Sequence, residues 1–102
     1  MKEKLKALVD QALPEILKSL GFSDLEPHAI RYEINLPKIK AHGDLSINLA
    51  FHLSRVRKKN PIEVATTCQK ILQKMVRGEK SLQAWVREIT VEKPGFINFK
   101  LT

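Results

Sequence analysis

The sequence predicts a small α+β domain, in which about three helices pack on one face of a mostly antiparallel sheet of three or four strands. Two kinds of apolar spacing lead to this fold class. In residues 1–77, apolar side chains recur mainly at helical intervals of three and four. Near the carboxyl end they alternate with polar side chains, and a Pro-Gly pair divides that region into a hairpin. A chain of 102 residues suits a single domain over 1–102.

The first predicted helix carries an apolar stripe from Leu5 to Leu20 and ends at Gly21. Pro14 lies within this stripe. Because proline removes one intrahelical donor, we expect the helix to kink there or to restart with Pro14 in its first turn.

Alternating residues between His28 and Pro37 then predict a first strand. Gly43 allows a turn, and Asp44 is placed to cap a second helix whose apolar stripe spans Leu45–Val56. This helix is apolar on several sides, so we expect it to be deeply buried. Asn48 would lie on its apolar stripe, where we expect it to be a structural residue that bonds a neighbouring backbone group.

A third helix is predicted from Asn60, a favourable N-cap, and Pro61, a favourable first helical residue. Its core face is expected to comprise Ala65, Cys68, Leu72 and Met75. The helix ends near Gly78, and the pattern then changes to that of a strand over residues 86–92.

The closing hairpin raises the question of function. Pro94 and Gly95 form its turn, and in the following strand one face comprises Ile97, Phe99 and Leu101. The other face comprises Phe96, Asn98 and Lys100. The first face belongs to the core, whereas the second is the side that a strand usually leaves to water. An aromatic ring, an amide and a cation in a row suit an unpaired nucleotide, which needs stacking, a hydrogen-bonded edge and neutralised phosphates.

The charge balance points to the same class of partner. The chain has 18 Lys and Arg against 11 Asp and Glu, a net charge of +7, so nucleic acid is the first partner to consider. Arg57, Lys58 and Lys59 form the densest basic cluster. They also suit a solvated helix end, where the helix dipole favours cations. The sequence by itself does not bring this cluster next to the closing strand.

Other chemistry is not indicated. No nucleophile is marked by its surroundings, and a turn explains His42-Gly43-Asp44 as structural residues, so no catalytic residue is expected. The histidines lack metal-ligand spacing, so no metal site is expected. The single Cys68 suits a reducing compartment. The amino terminus has neither a signal-peptide pattern nor a membrane span, and we expect a cytoplasmic protein with no membrane partner.

Three blocks of sequence, in order and correctly spaced, resemble one family. They are HGDLSINLAFHLSR, KKNPIEVATTCQKIL and VEKPGFINFKL. Together they are similar to the amino-terminal additional domain of arginyl-tRNA synthetase, which typically has a His-Gly-Asp turn, an Asn-Pro helix start and a closing Pro-Gly-Phe-Ile-Asn-Phe hairpin. The resemblance covers nearly the whole chain.

The resemblance implies a role in tRNA binding. Arginyl-tRNA synthetase is a class I ligase that uses ATP and Mg²⁺ to join arginine to its tRNA, and its additional domain docks on the outer corner of the tRNA. In members that use a D-loop adenosine as an identity element, an aromatic and an asparagine of the closing strand contact that base. These positions match Phe96 and Asn98. From their charge, we expect the tRNA phosphates to be contacted by Lys100, Arg57, Lys58 and Lys59.

The resemblance also implies what this chain does not do alone. The class I signatures His-x-Gly-His and Lys-Met-Ser-Lys do not occur in it, so we expect a monomeric fragment without cofactors, whose catalytic and anticodon-binding domains lie elsewhere in a parent enzyme. Two alternatives stay open. One is a free-standing basic RNA-binding module; the other is a protein-interaction domain that packs on the catalytic body and exposes an apolar patch.

Overall fold

A computed structural model describes residues 1–37 and 39–102, and of Lys40 the backbone alone. Its helices and strands are α1 Lys2–Leu20, β1 Ile34–Asn35, β2 Leu45–Ile47, α2 Leu49–Arg57, α3 Pro61–Arg77, α4 Lys80–Gln83, β3 Val86–Glu92 and β4 Phe96–Leu101. Short 3-10 turns occur at Pro27–Ala29 and Lys40–His42.

The four strands form one antiparallel sheet in the order β1-β2-β4-β3. Strand β4 is therefore an inner strand, with β2 and β3 on its two sides. Phe99 pairs with Leu45 of β2 and with Ile89 of β3, and all three side chains are buried. Helix α3 packs on the sheet, and α1 and α2 pack on α3. The predicted α+β class is confirmed, with the short helix α4 as an unpredicted addition.

Helix α1 runs without interruption from Lys2 to Leu20. Pro14 lies exposed inside it, so the predicted restart at Pro14 does not occur. Gly21 ends the helix as predicted, in a left-handed conformation with φ of 79°, and its N–H donates to the carbonyl of Lys18. No helix within the described part of the chain is both long and apolar enough to cross a membrane.

The prediction was wrong at the start of the second helix. Leu45–Ile47 is the strand β2, and α2 begins only at Leu49, with Asn48 at its N-cap position. Asp44 does not cap this helix: its carboxylate accepts a hydrogen bond from the backbone N–H of Leu101 at 2.8 Å. Three residues are too few to show alternation, and pairing with both β1 and β4 fixes them as strand.

The first predicted strand is also shorter than expected. Only Ile34–Asn35 pairs with β2, and the 3-10 turn Pro27–Ala29 occupies the start of the predicted segment. Strand β3 and the hairpin to β4 have the predicted bounds. Asn60 caps α3 as predicted, because its side-chain oxygen accepts from the N–H of Ile62 at 2.9 Å.

Candidate nucleic-acid interface

Strand β4 divides its side chains between two environments, as its alternation predicts. Ile97 and Phe99 are fully buried against the helices. On the opposite face, Asn98 lies in a polar row that crosses the sheet, between Ser46 of β2 and Thr90 of β3. Asn98 thus lies on the face opposite the buried Ile97 and Phe99, together with Phe96 and Lys100.

Phe96 is the exposed aromatic residue of this face. Its surface is 40% accessible, and its ring packs edge-on against Phe51 of α2, with centroids 4.9 Å apart and planes at 70°. Glu92 is its cross-strand partner on β3. The ring is thus held by a neighbouring aromatic while part of it remains accessible for stacking.

Asn98 lies deeper than a water-facing strand residue would. Only 2% of its surface is accessible, and its Oδ1 has no hydrogen-bond partner among residues 1–37 and 39–102. A buried acceptor without a partner costs about 1–3 kcal/mol relative to a satisfied one. An external donor would remove that cost, which makes Asn98 a candidate ligand contact.

Phe96 and Asn98 open into the same cleft, which has a volume of about 330 Å³. Strand β4 and the end of β3 form one side of it. The connection between β1 and β2 contributes the other side, through Leu36, Pro37, Ile39 and His42. Leu36 and Ile39 are 74% and 56% exposed, so the cleft combines apolar walls with a polar floor. Such a composition is typical of small-molecule sites.

The His-Gly-Asp turn fixes this connection to β4. The N–H of Asp44 donates to the carbonyl of Phe99 at 2.8 Å, and the Asp44 carboxylate accepts from Leu101. Gly43 has a φ of 147°, and a Cβ there would lie 2.9 Å from the Phe99 carbonyl oxygen. His42 lines the cleft, with Nε2 3.8 Å from Oε1 of Glu92.

The other predicted structural residues also have identifiable partners. Oδ1 of Asn48 accepts a hydrogen bond from the backbone N–H of Glu33 at 2.7 Å, which confirms that Asn48 bonds a neighbouring backbone group. Pro94 and Gly95 form the hairpin turn. A Cβ on Gly95 would lie 2.8 Å from Cβ of Pro61, so this turn packs directly on the start of α3.

The predicted phosphate-binding cations differ in whether an acidic side chain already pairs with them. The guanidinium of Arg57 donates to the carboxylate of Asp24, and this hydrogen bond lowers the pKa of Asp24. Lys100 lies 3.5 Å from a carboxylate oxygen of Glu88. Lys58 and Lys59 are exposed and make no ion pair within the described residues. These two lysines therefore have the most readily available charges.

The basic cluster comes shortly before the start of α3, which packs on the hairpin turn. Lys59 comes two residues before Pro61, and Pro61 contacts the turn residue Gly95, which precedes Phe96. Lys100 is four residues further along β4, about 13 Å from Phe96. The start of α3, which follows Lys58 and Lys59 in the chain, thus lies beside the hairpin turn before Phe96, whereas Lys100 lies at the opposite end of β4.

Two contributors to the cleft were missed by the sequence reasoning. His42 was explained as part of a turn, and Glu92 as a strand residue, because nothing in the sequence shows that the β1–β2 connection crosses the hairpin. The exposed apolar pair Leu36 and Ile39 was missed for the same reason.

Fold and site together define a small, basic α+β domain whose sheet presents a cleft with an accessible aromatic ring and a buried amide oxygen that has no hydrogen-bond partner among the described residues. The family comparison agrees with this class. A family model described as arginyl tRNA synthetase N terminal domain matches residues 3–101, and the chain belongs to that family.

The curated relatives that the chain matches are described as arginine–tRNA ligases. The chain is 33% identical over 101 residues to an arginine–tRNA ligase of Listeria welshimeri, covering 99% of this chain and 16% of the relative. It is 39% identical over 79 residues to one of Carboxydothermus hydrogenoformans, covering 78% and 13%. A Shewanella frigidimarina relative is 35% identical over 99 residues, covering 97% and 15%. The chain thus spans about one sixth or less of the length of these proteins.

Proposed function

We propose that the chain is the tRNA-binding amino-terminal domain of an arginine–tRNA ligase, and that its cleft receives a base from the D-loop of arginine tRNA. The observation that carries this proposal is the Oδ1 of Asn98, a buried acceptor with no partner in the part of the chain that the structure describes, beside an accessible aromatic ring. The family membership and the description of the relatives as arginine–tRNA ligases support it.

The chemistry of the cleft suits an extruded adenine. Its ring would stack on Phe96, which is typically worth about 1–3 kcal/mol per base. Its exocyclic amino group would donate to Oδ1 of Asn98, because the oxygen of an asparagine side chain accepts from the amino group of adenine. Lys58 and Lys59 would contact phosphates on either side of the extruded base.

In this proposal the domain supports ATP-dependent arginylation without taking part in the chemical step. ATP and Mg²⁺ would act in the catalytic domain of the parent enzyme, which is also a direct partner of this domain. The contribution of the cleft is to orient arginine tRNA and to favour it over tRNAs with another D-loop base.

The proposal is tested by NMR chemical-shift mapping with an arginine tRNA and with the same tRNA altered only at the D-loop base. We expect shifts at Phe96, Asn98 and His42 that disappear with the altered tRNA. Phe96→Ala and Asn98→Ala should each weaken binding of the unaltered tRNA roughly tenfold to a hundredfold. Lys70→Gln, which removes an exposed charge on α3, is the control. Shifts confined to the lysines and equal for both tRNAs would overturn the D-loop assignment.

One observation favours a second candidate, a surface that packs on the catalytic body of the same enzyme. Leu36 and Ile39 are largely exposed beside Phe96, an arrangement typical of a protein contact. This candidate predicts no shifts with either tRNA. It also predicts that Leu36→Ser with Ile39→Ser reduces binding of an apolar dye and the affinity for the separately produced catalytic body.

A further inference from the structure

We infer that His42 is a specificity-determining residue of the cleft, whose imidazole hydrogen-bonds the same base that Asn98 contacts. This inference rests on the proposed function, because it adds a second polar contact to the proposed base site. His42 belongs to the His-Gly-Asp turn before β2, whereas Phe96 and Asn98 belong to the closing strand β4.

The anchoring of the turn supports this role. Asp44 bonds β4 twice, once through its N–H to Phe99 and once through its carboxylate to the N–H of Leu101. Gly43 packs so closely on Phe99 that a side chain would not fit without movement. The backbone N–H of His42 also donates to the carbonyl of Ile39 at 2.9 Å. Together these contacts fix the position of His42 relative to the floor of the cleft.

The ring of His42 has hydrogen-bonding capacity to offer. It is about one third exposed, and its distance of 3.8 Å from the Glu92 carboxylate is too long for a hydrogen bond. The ring makes no hydrogen bond with other residues of the described chain. A neutral imidazole carries one donor and one acceptor, whereas Oδ1 of Asn98 only accepts.

The two side chains are therefore complementary. Adenine presents an amino donor next to a ring-nitrogen acceptor. Asn98 accepts from the amino group, and the N–H of His42 donates to the ring nitrogen. A base with a different order of donors and acceptors leaves one of these groups unpaired, and an unpaired buried polar group strongly disfavours binding.

The test combines His42 variants with altered RNA. Affinities are measured for the unaltered arginine tRNA and for the form with uridine at the D-loop base, using the native protein, His42→Ala and His42→Gln. His28→Ala, at a well-exposed histidine outside the cleft, is the control. We expect His42→Ala to reduce the discrimination between the two tRNAs at least fivefold, His42→Gln to retain part of it, and the control to leave it unchanged.

A second readout separates contact from a structural role. The imidazole ¹⁵N resonances of His42 should shift when the unaltered tRNA binds and not when the uridine form is added, while the thermal midpoints of the variants stay near that of the native protein. Native-like discrimination by both variants would overturn the role of His42 and leave the proposed function intact. An equal loss of affinity for both tRNAs would also overturn it. If the native protein itself does not discriminate, the proposed D-loop function fails first.

Discussion

At the scale of single residues, Gly21 and Gly43 both have positive φ angles, but the two positions require glycine for different reasons. Gly21 ends α1 at a φ of 79° with no atom near the position of a Cβ, whereas Gly43 at 147° lies against the backbone of β4. Conformational freedom alone explains the first glycine. The second also needs the absence of a side chain, because the turn before β2 approaches Phe99 too closely.

We therefore expect Gly43→Ala to destabilise the domain clearly more than Gly21→Ala. The conformational strain of each change is about 1–3 kcal/mol, and only Gly43→Ala adds a backbone clash. Urea unfolding of both variants, compared with the native protein, measures the difference. Equal losses of stability would contradict a tight contact between Gly43 and Phe99.

Cys68 gives a second prediction at this scale. Burial in α3 raises the pKa of its thiol to about 12, so the reactive thiolate is scarce at neutral pH. Labelling by a thiol reagent at pH 8 should be slow and should accelerate with urea in parallel with unfolding. The fully unfolded chain supplies the reference rate, and native labelling at that rate would contradict the burial of Cys68.

At the scale of elements, the sequence was informative where a pattern was long and ambiguous where it was short. The periodicity of α1 and α3 and the alternation of β3 and β4 were sufficient, and alternation also placed Phe96 and Asn98 on one face. The strand β2 has three residues, and its leucine fits the helical stripe that follows, so only pairing with β1 and β4 decides its state. The cleft depends on such long-range contacts, which is why the sequence did not predict that His42 and Glu92 line it.

The start of α3 offers a test of a local signal. Because the Asn60 side chain accepts from the N–H of Ile62, Asn60→Ala should lower the free energy of unfolding by about 1 kcal/mol. Asn60→Asp, which retains an acceptor at the cap, should preserve most of the stability. Urea unfolding checks both variants, and an equal loss in the two would show that this hydrogen bond is not what stabilises the helix start.

At the scale of the whole molecule, the net charge of +7 does not mean that every basic side chain is free to bind a phosphate. Arg57 and Lys100 face carboxylates, and the side chains of Arg57 and Lys59 also lie near the ring of Phe22, at 5.7 and 5.8 Å from its centre. Lys58, at the end of α2, is exposed and has a positive φ of 52°. A count of cations therefore overstates the number of phosphates that this end of the domain can neutralise.

Salt titration of tRNA binding can measure this difference. Each phosphate contact contributes about 0.7–0.9 to the slope of log affinity against log salt. Lys58→Gln should reduce the slope by about that amount, and Arg57→Gln by less, because Asp24 already neutralises the guanidinium. Asp24→Asn, which frees Arg57, should increase the slope. If Arg57→Gln lowers the slope as much as Lys58→Gln, the Asp24 pair does not persist in solution.

Strand β3 lies at the outer edge of the sheet, and α3 supplies two amides to it. The side chains of Gln69 and Gln73 both donate to the carbonyl of Ile89, at 2.8 and 3.3 Å. An edge carbonyl occupied in this way cannot accept a strand from a second molecule. The two glutamines thus occupy one carbonyl of this edge strand, which disfavours strand pairing with a second molecule at that position.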